Sequence, residues 1–200
     1  MAYTITPYKR DGTGTLTAST DPTTECSYER GFRNVAVGAT LYSDSLSRTV
    51  TSKTDENTVE VDSAWTLSAD AWEYINPALV FSKIYYVKHA KNDGGSIVGI
   101  PNRDSDYTMG SIGSGITREI ILSGFIRSTT IADVYKNITI LESLADGTQT
   151  IQGTCTYTED LPPRTMYVYI TSISWQYKRD DPLSVDVNVT MTECRNRGST

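Results

Sequence analysis

The side chains able to do chemistry are few and far apart. His89 is the single imidazole, so any Ser-His-Asp or Cys-His nucleophile system would have to use it. It stands beside Lys91-Asn92-Asp93-Gly94-Gly95, which carries the residues of a tight hairpin turn, and no Gly-x-Ser-x-Gly elbow accompanies it. That context suits an exposed or partly packed ring better than a catalytic base. The three cysteines, Cys26, Cys155 and Cys194, form no CxxC pair, and with one histidine they offer no zinc site of familiar spacing.

Adjacent carboxylates occur at Asp55-Glu56, Glu159-Asp160 and Asp180-Asp181, each in a turn-like stretch. Neighbours on a strand point to opposite sides, so adjacency makes no acid/base pair. Loop carboxylates leave calcium open at one of them, although no twelve-residue calcium loop is present. The glycine-rich stretch 101–116 (PNRDSDYTMGSIGSGI) lacks a Gly-Lys-Ser/Thr ending and any lysine, so nothing in it meets a phosphate. Trp65, Trp72 and Trp175, with Tyr85, Tyr86, Tyr167 and Tyr169, are the residue types of a stacking platform for sugars or bases. On strands such rings are more often core or interface. The expectation is a non-enzymatic chain with no catalytic, cofactor or metal residues. A carbohydrate-binding β-sandwich is the alternative.

Composition points the same way. Roughly one residue in seven is Thr and 13 are Tyr, types that suit a pleated surface buried on one face and wet on the other. A net charge of −6 disfavours binding to a phosphate backbone, and the basic residues are scattered. No run approaches the length of a membrane helix, and the Met-Ala-Tyr-Thr start has no basic or apolar leader. Both imply folding in a cytoplasm with reduced thiols. Asn137-Ile-Thr139 and Asn188-Val-Thr190 then match glycosylation acceptors by chance.

The elements that must position these residues are mostly strands. Two hundred residues fit one domain, with residues 1–30 a candidate extended arm. Residues 15–18 and 35–42 read as strands, and 43–57 as a long exposed loop or hairpin tip. Residues 68–75 read as a short helix ended by Pro77. Leu79 to Val87 is a strong strand, with 96–100 as its hairpin partner, and 101–116 is a second long loop. After the strand Arg118 to Ile126, Thr130 and Asp133 mark a helix start. Ile131, Val134, Tyr135, Ile138, Leu141 and Ala145 then recur at three and four, with Asp146-Gly147 as the stop. Strands follow over 151–158, with Cys155 and Tyr157 on one face, over 164–175, and over 184–192, where Val185, Val187, Val189 and Met191 alternate with Asp186, Asn188 and Thr190. The fold class is mainly β: a β-sandwich or open barrel with one flanking amphipathic helix over about 130–145.

The segment Glu119 to Glu193 runs strand, helix, then strands, and ends on Tyr167 to Trp175 and Pro182 to Glu193. Its plan of Ile-x-Ser-Ile, charged turn, Asp-Pro-Leu, alternating strand and Glu resembles tail proteins of tailed viruses: tail tube, distal tail and baseplate ring proteins. The resemblance implies a virion structural protein assembled in the host cytoplasm. Its partners would be copies of itself, in a ring of six, and neighbouring tail or baseplate proteins, around a DNA channel, with no sequence-specific nucleic-acid binding. Six copies would carry about −36, and acids facing the channel would keep DNA from sticking. Loop position makes Asp55, Glu56, Asp104 and Asp106 the candidate lumen-facing acids, and Tyr107, Met109 and Ile112 the candidate assembly contacts.

Overall fold

A computed structural model describes residues 3–18, 21–43, 45–92, 117–145, 155–160, 163–178 and 180–194. In chain order its strands are β1 (Thr4–Pro7), β2 (Arg10–Asp11), β3 (Leu16–Ala18), β4 (Thr23–Cys26), β5 (Thr40–Ser43), β6 (Leu46–Lys53), β7 (Thr58–Val61) and β8 (Leu67–Ala69). There follow β9 (Glu73–Ile75), β10 (Leu79–Val80), β11 (Lys83–Asn92), β12 (Thr117–Arg127), the helix α1 (Ile131–Ala145), β13 (Cys155–Asp160), β14 (Pro163–Lys178) and β15 (Asp181–Cys194). The protein is mainly β: two antiparallel open sheets, of seven and eight strands, pack as a sandwich with one helix.

The first sheet has the order β10-β1-β13-β14-β15-β12-β11. Its two edge strands are consecutive pieces of one stretch of chain, separated by Phe81 and Ser82. The Phe81 N–H donates to Tyr3 O at one side (3.0 Å), and the Ser82 N–H donates to Phe125 O at the other (2.9 Å). One segment therefore borders both ends of the sheet, and the sheet must roll. Inside the roll, Val185, Val187, Val189 and Met191 of β15 meet Ile120, Leu122, Cys155, Tyr157 and Val168, all buried. The alternation read from the sequence for β13 and β15 is the one observed. Gly124 lets β11 lie close, because a Cβ there would fall 2.5 Å from Lys83 O.

The helix α1 packs on β14, β15 and β10. Thr130 caps it: the Asp133 N–H donates to Thr130 Oγ1 (3.1 Å), while the hydroxyls of Thr129 and Thr130 both donate to Asp133 Oδ2 (2.8 Å each). The buried face differs from the expected one. Val134, Ile138 and Leu141 are buried as read, but Ile131, Tyr135 and Ala145 are exposed, and Ile140, Ser143 and Leu144 are buried instead. The reason is a second neighbour. Asn76, itself buried, takes the Ala36 N–H on Oδ1 (2.9 Å) and donates from Nδ2 to Asn34 O (2.8 Å) and Ser143 Oγ (2.9 Å). The far end of the helix thus meets both the first sheet and the second.

The second sheet, β2-β9-β5-β6-β7-β4-β3-β8, curls around its own core of Leu16, Phe32, Val35, Leu41, Val50, Val59, Trp65 and Trp72. Its ends approach where the Gly12 N–H donates to Trp72 O (2.7 Å) and the Trp72 indole N–H to Gly14 O (2.9 Å). Three expectations change here. Residues 68–75 are β8 and β9 rather than a helix: Trp72, Tyr74 and Asn76 are buried in strict alternation, a period of two that the Pro77 stop signal masked. The stretch 43–57 is largely strand, since β6 holds 46–53. Val50 is its one buried residue, so no apolar alternation was there to read. Residues 1–30, the candidate arm, contribute β1 to β4, with Ile5 and Leu16 fully buried. The expected strand 96–100 and loop 101–116 lie outside the described residues, and β11 pairs with β12.

Replacing Asn76 by Ala leaves a buried N–H, a carbonyl and the Ser143 hydroxyl each short of a partner. Unfolding in urea should show a loss of about 2–4 kcal/mol. The hydrogen bonds from Thr129 and Thr130 hold the Asp133 carboxyl below its ordinary 3.8. A depressed carboxylate stabilises the fold above its unfolded pKa, and that contribution is lost as pH falls through the folded value. Thr130→Ala should move the Asp133 titration, followed by NMR, up toward the ordinary value and cost about 1 kcal/mol.

Candidate functional site

The roll of the first sheet closes at residues 81–82 and splays open beyond. Among the described residues β1 pairs from Thr4 onward, opposite Thr158, whereas β13 runs on to Asp160 and β11 runs on to Asn92. The rims of β11 and β13 therefore face each other across a mouth with no described strand between them. The mouth is an open recess of about 730 Å³.

Glu159 forms its floor. It follows Cys155 and Tyr157 on the inward face of β13, and only 2% of its side chain is exposed. Its cross-strand partner is Arg164, whose Nε donates to Glu159 Oε2 at 2.5 Å. A bidentate-capable guanidinium is the group expected to hold a carboxylate so far from water. From the opposite rim His89 reaches in: Nε2 is 2.7 Å from Glu159 Oε1 and 2.9 Å from Arg164 Nη2, and Nδ1 is 3.2 Å from that same Nη2. The 2.7 Å approach is proximity without alignment, because Oε1 has no hydrogen-bond partner among the described residues. The buried hydroxyl of Tyr157 lies close to the same carboxylate. Burial pushes the Tyr157 phenol well above its ordinary range, and the negative charge of Glu159 adds to the shift.

Tyr3, Ile84 and Val87 line the walls. The strand β11 carries a bulge between Ile84 and Tyr86: Ile84 and Val87 pack toward the first core, and Tyr85 and Tyr86 come together on the outer side of the rim, Tyr85 against Phe125. Tyr85 is braced by the Lys178 ammonium (2.9 Å) and by Asp186 Oδ1 (3.0 Å). The bond to Tyr85, with Asp186 nearby, holds that ammonium above its ordinary 10.5. Arg118 completes the rim, 3.3 Å from Glu193.

The arrangement is electrically balanced, with two guanidiniums set against Glu159 and Glu193. Among the described residues that line the recess, His89 has the Glu159 carboxylate and the Arg164 guanidinium for company. Among the described residues no group of three His, Cys, Asp or Glu side chains is placed to hold a metal ion. Cys26 and Cys155 are both buried, and the Cys26 thiol donates to Thr13 O (3.1 Å).

The other residues singled out in the sequence are elsewhere. Trp65 and Trp72 are buried in the second core, and Trp175 packs against the first, so these rings form no exposed platform. Asp55 accepts the Asn57 N–H (2.7 Å) and Glu56 pairs with Arg30 (3.1 Å), both in the turn between β6 and β7. Asp104, Asp106, Tyr107, Met109 and Ile112 lie outside the described residues. Glu159 and Asp160 are the last pair of β13, not turn residues. Continuing the alternation Cys155, Tyr157 by one step would have placed Glu159 inside. Its partner Arg164 and the approach of His89 depend on register and on the roll, which no local pattern encodes.

No protein-family model, curated protein or solved structure matches this chain.

Arg164→Ala would strand the Glu159 carboxylate without its hydrogen-bond donor, and unfolding free energy should fall by about 3 kcal/mol. Adding Glu159→Gln removes the uncompensated charge, so the double variant should recover part of that loss in a denaturation cycle.

Proposed function

We propose that this chain is a non-enzymatic structural subunit that assembles with copies of itself into a ring in the tail or baseplate of a tailed virus, around the DNA channel. The observation that carries the reading is the outer half of β14. Among the described residues this strand pairs with β13 as far as Val168, and from Thr171 to Lys178 β15 is the one strand described beside it. The open edge contains no proline, and its one charge is Lys178 at the far end. Tyr177, 56% exposed, projects from it. Long edges without proline or interspersed charge are templates for another strand, and natural monomers usually blunt them. An edge offered to a neighbouring copy buries its free N–H and C=O groups and repeats from subunit to subunit.

Two further features support the reading. The order β12, α1, β13, β14, β15 is the strand, helix, strands plan on which the resemblance to tail proteins rests. The charge is also uneven: residues 1–75 hold eleven acidic and six basic side chains, so the second sheet is the acidic part of each subunit. In a ring, that sheet would give one region a negative field able to repel a passing phosphate backbone.

Light scattering and negative-stain microscopy of the full chain should show rings or short tubes. Ser174→Lys with Gln176→Lys, both on the open edge, should shift the protein to monomer while its circular dichroism stays unchanged. A wild-type chain that remains monomeric at high concentration would sink the proposal.

A further inference from the structure

We propose that the outer face of the first sheet, around Tyr85, Tyr86 and Lys88, docks the acidic second sheet of another copy of this chain at its stretch Glu25 to Glu29. This contact is made by side chains, is separate from the open edge of β14, and rests on no viral role.

Register defines the face. Lys83, Tyr86 and Lys88 of β11 stand opposite Phe125, Ser123 and Ile121 of β12. Val87 and its partner Leu122, between them, pack into the first core, so these pairs point the other way. The helix α1 joins that same core through Val134, Ile138 and Leu141 and does not cover the outer side. Tyr85 and Tyr86 therefore stay 50% and 53% exposed, and Lys83 and Lys88 are exposed beside them.

A lone exposed tyrosine needs no explanation. Here the β11 bulge sets two together, and one is held rigidly. The Tyr85 ring lies 5.9 Å from that of Phe125, and Lys178 Nζ stands 4.3 Å from the centre of the Phe125 ring. The Tyr85 hydroxyl is fixed between Lys178 and Asp186. Aromatic surface fixed before contact loses little freedom on docking, and tyrosine is typical of the centres of protein interfaces.

Charge names the occupant. Lys178 and Arg127 are paired with Asp186 (3.3 Å) and Asp181 (3.8 Å), and Glu119 is partly buried. Lys83 and Lys88 have no ion pair among the described residues, and they flank the tyrosines along β11. They call for carboxylates, which the chain itself supplies. Residues 1–75 hold eleven acidic and six basic side chains, whereas residues 76–200 hold thirteen and twelve. Within the acidic part, Glu25 faces outward from β4 between buried Thr24 and Cys26, and Glu29 is exposed. Neither has an ion pair among the described residues, and Arg30 is already taken up by Glu56 (3.1 Å). Tyr28, 54% exposed, stands between them in the chain. Two glutamates around a tyrosine thus complement two lysines around a pair of tyrosines. The patches lie on different sheets, so the contact is heterologous and each copy can give one and receive one. Single-stranded nucleic acid also suits tyrosine and lysine, but a chain at −6 opposes a phosphate backbone.

Sedimentation of the full chain should show self-association that weakens about tenfold between about 0.02 M and about 0.5 M salt. Lys83→Glu with Lys88→Glu, and separately Glu25→Lys with Glu29→Lys, should each weaken association in low salt about tenfold. All four positions are exposed, so folding is not at stake. An equimolar mixture of the two variants should regain association, because a basic face again meets an acidic stretch. A photocrosslinker in place of Tyr86 should join residues 21–30 of a second, ¹⁵N-labelled copy. A chain monomeric in low salt, reversed variants that associate like the wild type, a mixture that stays apart, or crosslinks that map elsewhere overturn the proposal. So does capture of oligothymidylate at Tyr86 in place of a second copy. Ser174→Lys with Gln176→Lys reads the β14 edge and leaves these four charges in place, so either contact can fail alone.

Discussion

The structure depends on one constraint of connectivity: residues 79–92 pair with both ends of the same sheet. Leu79 and Val80 align with β1 at one edge, and three residues later Lys83 aligns with Phe125 of β12 at the other. A flat seven-stranded sheet would put those partners four strand spacings apart, roughly 19 Å at the usual strand spacing. The sheet therefore rolls, and its inward residues become a closed core. The same constraint opens the mouth, because the edges are tied at residues 81–82 and diverge as β11 runs on past the start of β1. Where they part, His89 meets Glu159 and Arg164 across the gap.

That cluster shows two demands on the same residues. As a strut, the Glu159–Arg164 pair holds the end of β13 against β14 with a short charge-assisted bond, and a hydrophobic pair of similar volume would serve stability as well. As a recess floor, it keeps polar groups facing water that a purely structural solution would have removed. The Oε1 that His89 approaches and the buried Tyr157 hydroxyl lie on this side of the balance. The rest of the first core is apolar and regular, so the exception is confined to one place.

What the sequence discloses follows from how local each signal is. The strands β13 and β15 and the α1 cap were legible, because alternation and the Thr130–Asp133 spacing are decided within a few residues. The helix face was misread at Ile131 and Tyr135, since Asn76 and Ser143 bring a second neighbour that no heptad-like count foresees. The strand β6 was hidden because it is polar nearly throughout and is held by ladders on both sides. His89 stands in the recess beside Glu159 and Arg164. Its actual company came from residues 70 and 75 positions away in the chain, which only the roll brings together.

The apolar residues form two separate clusters, one inside the roll and one inside the curled second sheet, with Ala36 the second sheet's contribution to the first cluster. What joins them is largely polar, through Asn76 and the end of α1. Cooperativity in folding comes from shared apolar packing, and a polar seam transmits little of it. The molecule is accordingly built as two foldons on one chain. Backbone amides of the second sheet should exchange with solvent by openings that leave the roll intact, and a single melting temperature would average two distinct events.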